Sequence, residues 1–139
     1  MSYELEVMQI DDYDVVYALW KSSEGIGLSQ ADSKENIARY LVHNPGMSFC
    51  AWEGKTLVGA VLCGSDSRRG YLHHLAVDQA HRHQGIGRAL VERCLAALQE
   101  IDITKCHLFV FLDNQEAIDF WQCCGWVHRK ELILMSIGR

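Results

Sequence analysis

Apolar residues along the chain switch between the two-residue period of strands and the three-to-four-residue period of helices. Strand-like segments lie at 4–10, 48–53, 56–64, 71–77, 105–112 and 132–137. Helix-like segments begin near Asp11 or Asp12, near Asp32 or Ser33, at Ile86 and at Asn114. The pattern therefore predicts the element order β-α-α-β-β-β-α-β-α-β.

The same pattern predicts how the strands pair. Gly54 and Lys55 separate two short apolar runs, which is typical of a hairpin, and the second run, 56–64, is apolar on both faces, as expected inside a sheet. Consecutive strands favour antiparallel pairing. The long helix between 71–77 and 105–111 instead makes those two strands parallel.

The composition is that of an ordinary globular protein. The 139 residues, 49% of them hydrophobic, contain no repeat or linker, so we expect a single domain over residues 1–139. The predicted pairing makes it an α/β (α+β) fold, in which a mixed, mostly antiparallel sheet carries helices on both faces. A net charge of −5 argues against nucleic acid as a partner.

Neither membrane insertion nor a disulfide scaffold is expected. No apolar run approaches the roughly 18 to 20 residues that cross a bilayer. The six cysteines fall within predicted strands and helices, lack the Cys-x-x-Cys spacing of a zinc site and follow no export signal. His81 and His83 are spaced like metal ligands, but no carboxylate set is expected near them. We therefore expect a cytoplasmic protein with no membrane partner and no metal.

The junction between strand 71–77 and the long helix contains two glycines, Gly85 and Gly87. The first N–H groups of a helix have no intrahelical acceptor, and the helix dipole favours negative charge there. Glycine has no side chain to keep a phosphate away from the backbone. The junction is therefore predicted to hold a pyrophosphate, although glycines also collect at helix starts for purely structural reasons.

Two motifs carry a resemblance to a known family. The spacing Arg82-x-x-Gly85-x-Gly87 resembles (Gln or Arg)-x-x-Gly-x-(Gly or Ala), the coenzyme A signature of the GCN5-related N-acetyltransferases, the GNAT family. The thirteen residues that start at Asn114 resemble that family's Asn-x-x-Ala-x-x-Phe-Tyr-x-x-x-Gly-Phe pattern. The resemblance covers residues 48–126, and the predicted element order is also that of the family.

The resemblance implies that the chain binds acetyl-CoA as a co-substrate. In the family the parallel strands splay apart, and the pantetheine arm lies in the gap beside a bulged strand end. By resemblance, Leu75 donates its backbone N–H to the thioester carbonyl and Val77 pairs with pantetheine, with Ala76 between them. The residues implied to hold the pyrophosphate are Arg82, His83, Gln84, Gly85, Ile86, Gly87 and Arg88.

The resemblance extends into the last helix, with one departure. By resemblance Asn114 reaches the cofactor and the small Ala117 lets it pass close by, although Asn114 as a helix N-cap needs no ligand. Trp121 stands where many family members have a tyrosine whose hydroxyl protonates the departing thiolate. An indole N–H releases no proton at accessible pH, so Trp121 is expected to shape or cover the thioester pocket, or simply to pack.

A base for the acceptor amine is the remaining chemical requirement. The family often places a glutamate where this chain has Tyr71. His73 shares a strand face with Tyr71 by the two-residue period, and an imidazole with a pKa near 6.5 is suited to proton transfer. His73 is therefore the candidate catalytic base, with His74 as the alternate and a purely structural histidine as the competing interpretation.

The sequence thus predicts an enzyme, an acetyl-CoA-dependent N-acetyltransferase that transfers the acetyl group directly to a primary amine of a small molecule, peptide or protein. The alternative is a non-catalytic acyl-CoA-binding sensor or regulatory protein, suggested by the missing tyrosine and glutamate. A different nucleotide-binding α/β protein is the third interpretation. The chain ends soon after Gly125, which leaves a sheet edge open to self-pairing, so a monomer or a homodimer is expected.

Overall fold

A β-sheet is the scaffold of the first part of the chain. The computed structural model describes residues 2–139, which divide into two compact units, one ending at Phe109 and the other Val110–Arg139. In the first unit five strands lie in chain order, and every neighbouring pair except the last is antiparallel. They are β1 (Glu4–Val7), β2 (Phe49–Glu53), β3 (Thr56–Ser65), β4 (Gly70–Val77) and β5 (Cys106–Leu108).

Helices cover both faces of this sheet, as predicted. They are α1 (Tyr13–Ser22), α2 (Lys34–His43) and α3 (Ile86–Glu100), with 3-10 turns at Ile10–Asp12, Gln30–Asp32 and Gln79–His81. Trp20 of α1 belongs to the same buried cluster as Ala60 of β3. Leu90 of α3 instead approaches Gly59. Because Gly59 and Ala60 are consecutive strand residues, α1 and α3 lie on opposite faces.

Helix α3 buries the apolar stripe that its sequence predicts. Its inward side chains are almost fully buried: Ile86, Leu90, Val91, Cys94 and Leu98. Ile101, three residues after Leu98 in the same apolar spacing, lies beyond the end of the helix and is exposed. The buried stripe anchors α3 along the sheet, and its first turn therefore stands directly after β4 and the short loop.

Helix α2 begins at the second of its two predicted starts. Ser33 is the N-cap, and its hydroxyl accepts a hydrogen bond from the Asn36 backbone N–H at 3.2 Å. Asp32 instead closes the preceding 3-10 turn, where its carboxylate accepts the Ser29 backbone N–H at 3.0 Å. Asp32 and Glu35 have the spacing of a capping box but do not form one, because the Asp32 carboxylate bonds within the turn.

The second unit contains one helix, α4 (Gln115–Cys123), and the strand predicted for 132–137 is not formed. Residues 126–139 hold no helix or strand. A strand needs a partner for its backbone N–H and C=O groups, and the described residues of Val110–Arg139 include no other strand. The apolar side chains of the segment are consequently exposed: Leu132, Ile133, Leu134, Met135 and Ile137.

Strand β5 is also shorter than the predicted 105–112. It is parallel to β4, as predicted, and their register runs from Gly70–Cys106 to Leu72–Leu108. The other elements follow the predicted order, and the sheet is mixed and mostly antiparallel. That residues 1–139 act as one domain stays a prediction.

The described residues 2–139 contain no helix with both the length and the apolar character needed to cross a bilayer. Within the same residues, no three His, Cys, Asp or Glu side chains come together as a metal site. All six cysteines are free thiols.

A histidine clamp fixes the loop between β4 and α3. His81 Nδ1 lies 2.7 Å from Asp78 Oδ2, and its Nε2 lies 3.3 Å from Glu53 Oε1 at the end of β2. Two carboxylates therefore flank His81, contrary to the sequence prediction. The hydrogen bond to Asp78 raises the pKa of His81 above its usual value, and the hydrogen bond to Glu53 adds a smaller increase. The clamp fixes the chain where it leaves β4.

We expect this clamp to stabilise the fold more at about pH 6 than at about pH 9. A raised pKa in the folded state means that the contribution is fully present below the unfolded pKa of about 6.5 and is lost as the pH rises through the higher folded pKa. His81→Gln keeps a polar side chain but cannot be protonated. The free energy of urea unfolding should therefore differ more between wild type and variant at the lower pH.

The control is His83→Gln, which removes an exposed histidine from the same loop. Its effect on the unfolding free energy should be the same at both pH values. An equal effect of His81→Gln at the two pH values would show that the clamp does not act through the charge of His81.

Candidate active site

Helix α3 begins at a glycine in the left-handed conformation. Gly85, the N-cap, has a φ of +82°, and a Cβ built on it would meet no atom within 4 Å. The N–H groups of the first turn have no intrahelical acceptor, and the helix dipole adds positive potential at this end. An anion can therefore approach the backbone here. That the junction holds a pyrophosphate stays a prediction.

The residues predicted to hold a pyrophosphate form one continuous loop and first turn. Two of them, Ile86 and Gly87, are buried, so they can offer a ligand only their backbone N–H groups. The exposed members are His83, Gln84, Gly85 and Arg88.

Arg82 ties this loop to the end of β4. Its Nε donates a hydrogen bond to the backbone carbonyl of Val77 at 3.1 Å. The guanidinium has four further N–H groups, so this bond leaves it able to face an anion. Val77 is predicted to pair with pantetheine. Its carbonyl oxygen accepts the hydrogen bond from Arg82 with one lone pair, and the second lone pair can accept a hydrogen bond from a ligand.

Strand β4 contains the bulge that the resemblance requires. Ala60 of β3 is opposite Ala76, whereas Leu62 is opposite His73, so β4 has one extra residue between these two pairs. The residues outside the register are His74 and Leu75. His74 has a φ of +55°, a left-handed conformation that is uncommon for a residue other than glycine.

The edge of β4 that faces β5 is open beyond Leu72. The parallel register ends at the pair Leu72–Leu108, although β4 continues to Val77. Among the described residues, the part of β4 after Leu72 pairs with β3 and no longer with β5. Backbone N–H and C=O groups on the open edge can therefore bind an amide-rich ligand as an added strand.

A cavity of about 660 Å³ lies beside the same strand. Its walls come from residues 27–32, from α2 with Asn44, and from Leu62, His73 and His74. Regular alternation would place the two consecutive histidines on opposite faces of the sheet. The bulge brings both of them to the cavity, whose volume suits a small ligand or the end of a longer one.

His73, the predicted base, packs between two aromatic rings. Its ring centroid lies 6.4 Å from that of Tyr40, edge to face, and 6.3 Å from that of Phe109, stacked. Burial lowers the pKa of His73, His74 lowers it further, and Asp32 opposes both effects. No hydrogen-bonded carboxylate contacts His73 among the described residues. His73 therefore lies in the cavity but lacks a partner for its charged form.

His74, the predicted alternate, has such a partner. Its Nε2 lies 2.8 Å from Asp32 Oδ1, and its ring packs edge-on against Trp20 with centroids 5.0 Å apart. Asp32 is only 6% exposed. The sequence prediction missed Asp32 as a site residue, because its one signal was an acidic side chain before a helix, which capping explains equally well.

The predicted residues of the second unit lie on α4. Asn114 is its N-cap, and its Oδ1 accepts the Ala117 backbone N–H at 3.1 Å. Trp121 packs against Phe120 and Trp126, with ring centroids 5.1 and 5.2 Å apart. These contacts give Asn114 and Trp121 structural roles. The cofactor roles of Asn114, Ala117 and Trp121 stay predictions.

Comparison with known proteins tests the family resemblance. The sequence model of the Acetyltransferase (GNAT) family matches residues 13–126. N-alpha-acetyltransferase 30 of Xenopus laevis is 37% identical over 100 residues, which are 68% of this chain and 37% of that protein. The chain spans only 28 to 37% of the length of the frog, human and mouse proteins of that name.

A second relative and a solved structure match over most of both chains. Acetyltransferase ECA0875 of Pectobacterium atrosepticum is 30% identical over 119 residues, 86% of this chain and 84% of that one. The NatC complex bound to Gag peptide and CoA has a chain that superposes with a TM-score of 0.78 at 20% identity, covering 94% of this chain and 87% of its own. The structural likeness confirms the fold, and the family match together with the bacterial relative shows that this chain belongs to the GNAT acetyltransferase family.

Proposed function

We propose that this chain is an acetyl-CoA-dependent N-acetyltransferase whose acceptor is the α-amine of a peptide N-terminus. One observation carries the proposal: β4 joins two sites. Its open edge leads to the anion-accepting start of α3, and its bulge lines the cavity. A group transfer needs such an arrangement, because donor and acceptor must meet at one place.

The residues of the first unit fit acetyl-CoA. Open space at Gly85 and the first-turn N–H groups suit the pyrophosphate, and Arg82 supplies positive charge beside them. Backbone groups of the bulge and open edge, at Leu75, Ala76 and Val77, suit the amides of the pantetheine arm. When bound, acetyl-CoA supplies an activated acetyl group at the sulfur end of that arm.

The choice of an α-amine rests on the relatives and on acid-base chemistry. Several relatives are named N-alpha-acetyltransferase, and one solved neighbour binds a peptide together with CoA. At pH 7 an α-amine with a pKa near 8 is neutral in roughly one molecule in ten, against roughly one in 2500 for a lysine amine. Histidine can supply the proton transfer that the remaining protonated α-amine requires.

The departing thiolate needs no acid at position 121 in this proposal. A thiol with an ordinary pKa of about 8.5 is an adequate leaving group near neutral pH. The indole of Trp121 cannot release a proton, and its contacts with Phe120 and Trp126 fit a packing role.

The cytoplasm is the proposed location, since six free thiols suit a reducing compartment. The proposed state is a monomer or a homodimer, acting without metal.

The first experiment measures acetyl transfer directly. Purified protein is incubated with acetyl-CoA and peptides that carry either a free α-amine with a blocked lysine or a blocked α-amine with a free lysine. We expect mass spectrometry to find one acetyl group on the free α-amine and free CoA in equal amount. If only the free lysine is acetylated, the acceptor is a lysine side chain and the proposed α-amine acceptor is wrong. CoA binding without transfer to any amine would favour a sensor over an enzyme.

The second experiment tests the anion site through Gly85→Asn. Asparagine adopts the left-handed conformation more readily than other residues with a side chain, and here that side chain would enter the open space at the helix start. Loss of charge-assisted N–H contacts to a phosphate should raise the Kd for CoA, measured by calorimetry, by about tenfold or more.

The chain offers a matched control in Gly54→Asn. Gly54 also has a positive φ, +61°, with open space around it, but it lies in the β2–β3 hairpin. Its replacement carries a similar conformational cost and should leave the Kd for CoA unchanged. Equal Kd values for Gly85→Asn and wild type would place the cofactor phosphates elsewhere.

A further inference from the structure

We propose that Asp32 and His74 form a proton-accepting pair for the acceptor amine. In this pair His74 is the catalytic residue and Asp32 is a positioning residue that acts through it. The inference deepens the proposed function and rests on it. It replaces His73, the base predicted from sequence, with its neighbour in the bulge.

The hydrogen bond between the two side chains fixes the tautomer of His74. Asp32 Oδ2 accepts the Ser29 backbone N–H at 3.0 Å, and Asp32 Oδ1 lies 2.8 Å from His74 Nε2. An ionised carboxylate only accepts hydrogen bonds, so the shared hydrogen belongs to His74 Nε2. The lone pair of the neutral ring is then on Nδ1, which has no hydrogen-bond partner among the described residues. His74 lines the cavity, so Nδ1 is the atom that can accept a proton there.

The charge of the pair distinguishes His74 from His73. When His74 takes a proton, its positive charge lies beside the Asp32 carboxylate in a place where Asp32 is 6% exposed and solvent screens weakly. His73 instead lies between the rings of Tyr40 and Phe109. Burial there disfavours a charged imidazole. Of the two histidines, His74 is the one whose surroundings stabilise the proton after transfer.

Three helices and strands bring other ionisable groups close to the pair. From α1, the Tyr13 hydroxyl donates to the Asp32 backbone carbonyl at 2.6 Å, and Trp20 presents a ring. Burial raises the pKa of Tyr13, so it stays a donor at neutral pH. The remaining ionisable groups at the cavity are His73 from β4 and Arg39, Tyr40 and His43 from α2.

The proton balance of the step is simple. The acceptor ammonium gives one proton to His74 Nδ1 and becomes a neutral amine. The amine nitrogen forms a bond to the acetyl carbon, the carbon–sulfur bond breaks, and the electron pair of that bond leaves on the thiolate. The nitrogen then loses its second proton, which neutralises the thiolate. The proton on His74 passes to solvent, so one proton is released for each amide formed.

The test compares two peptides that differ in one group. One has an α-amine, which is mostly protonated at pH 7, and the other has an aminooxy group in its place, which is already neutral there. Without its base, the enzyme should lose activity mainly toward the protonated nucleophile. We expect His74→Gln to lower kcat/KM for the α-amine peptide by about 100-fold. The loss for the aminooxy peptide should be at least ten times smaller.

His73→Gln is the matched control, since it makes the same substitution at the neighbouring position in the same cavity. A packing change should lower the rates for both peptides by the same factor. If His73→Gln gives the nucleophile-dependent loss and His74→Gln does not, His73 is the base and the inference is wrong. Equal losses on both peptides for His74→Gln would also overturn it.

Asp32→Asn tests the positioning role. The amide oxygen can still accept the Ser29 N–H, but the amide N–H₂ then faces His74 Nε2 and moves the ring hydrogen to Nδ1. We expect a loss that is again larger for the α-amine peptide. Equal losses for the two peptides would reduce Asp32 to a structural residue.

Calorimetry with CoA separates this inference from the proposed function. Each variant should bind CoA as wild type does, because the proposed cofactor contacts lie at the open edge of β4 and the start of α3. If His74→Gln loses CoA binding through misfolding, Asp32→Asn alone decides the question by comparing its losses on the α-amine and aminooxy peptides. If wild type binds CoA and acetylates no amine, the proposed function is wrong. The inference that Asp32 and His74 accept a proton from the amine is then wrong as well.

Discussion

One extra residue in β4 determines the geometry on which the site depends. Without the bulge, His73 and His74 would lie on opposite faces of the sheet, and only one would reach the cavity. With it, both line the cavity, and His74 adopts a left-handed conformation that costs about 1–2 kcal/mol for a residue with a side chain. The hydrogen bond to Asp32 and the ring contact with Trp20 hold His74 in that conformation. Strain of this kind persists where the surrounding structure fixes it.

In the proposed function, β4 also divides two chemical tasks between its edge and its face. Beyond Leu72 the edge is open toward β5, and the chain then leads through the His81 clamp and Arg82 to the first turn of α3. These parts offer backbone donors to an anionic, amide-rich ligand. In the same proposal, the imidazoles on the face of β4 serve the acceptor amine. One strand would then hold the acetyl donor and the amine acceptor close together.

Much of this arrangement could be predicted from the sequence, where the signal is local. The buried stripe of α3, the glycine at its start and the parallel β4–β5 pair all follow from spacing and from a crossover helix. The strand at 132–137 was predicted wrongly, because alternation shows which side chains share a face but not whether a partner strand exists. Asp32 and His74 lie 42 residues apart, and no local pattern connects them.

Hydrogen exchange with and without CoA shows whether a cofactor binds along the open edge of β4 and over the start of α3. When CoA is bound, we expect slower exchange at the backbone amides of residues 75–77 and 85–88. We expect no change in the β2–β3 hairpin around Gly54, which serves as an internal reference. Unchanged exchange at both segments, under conditions where CoA is bound, would show that CoA binds elsewhere on the chain.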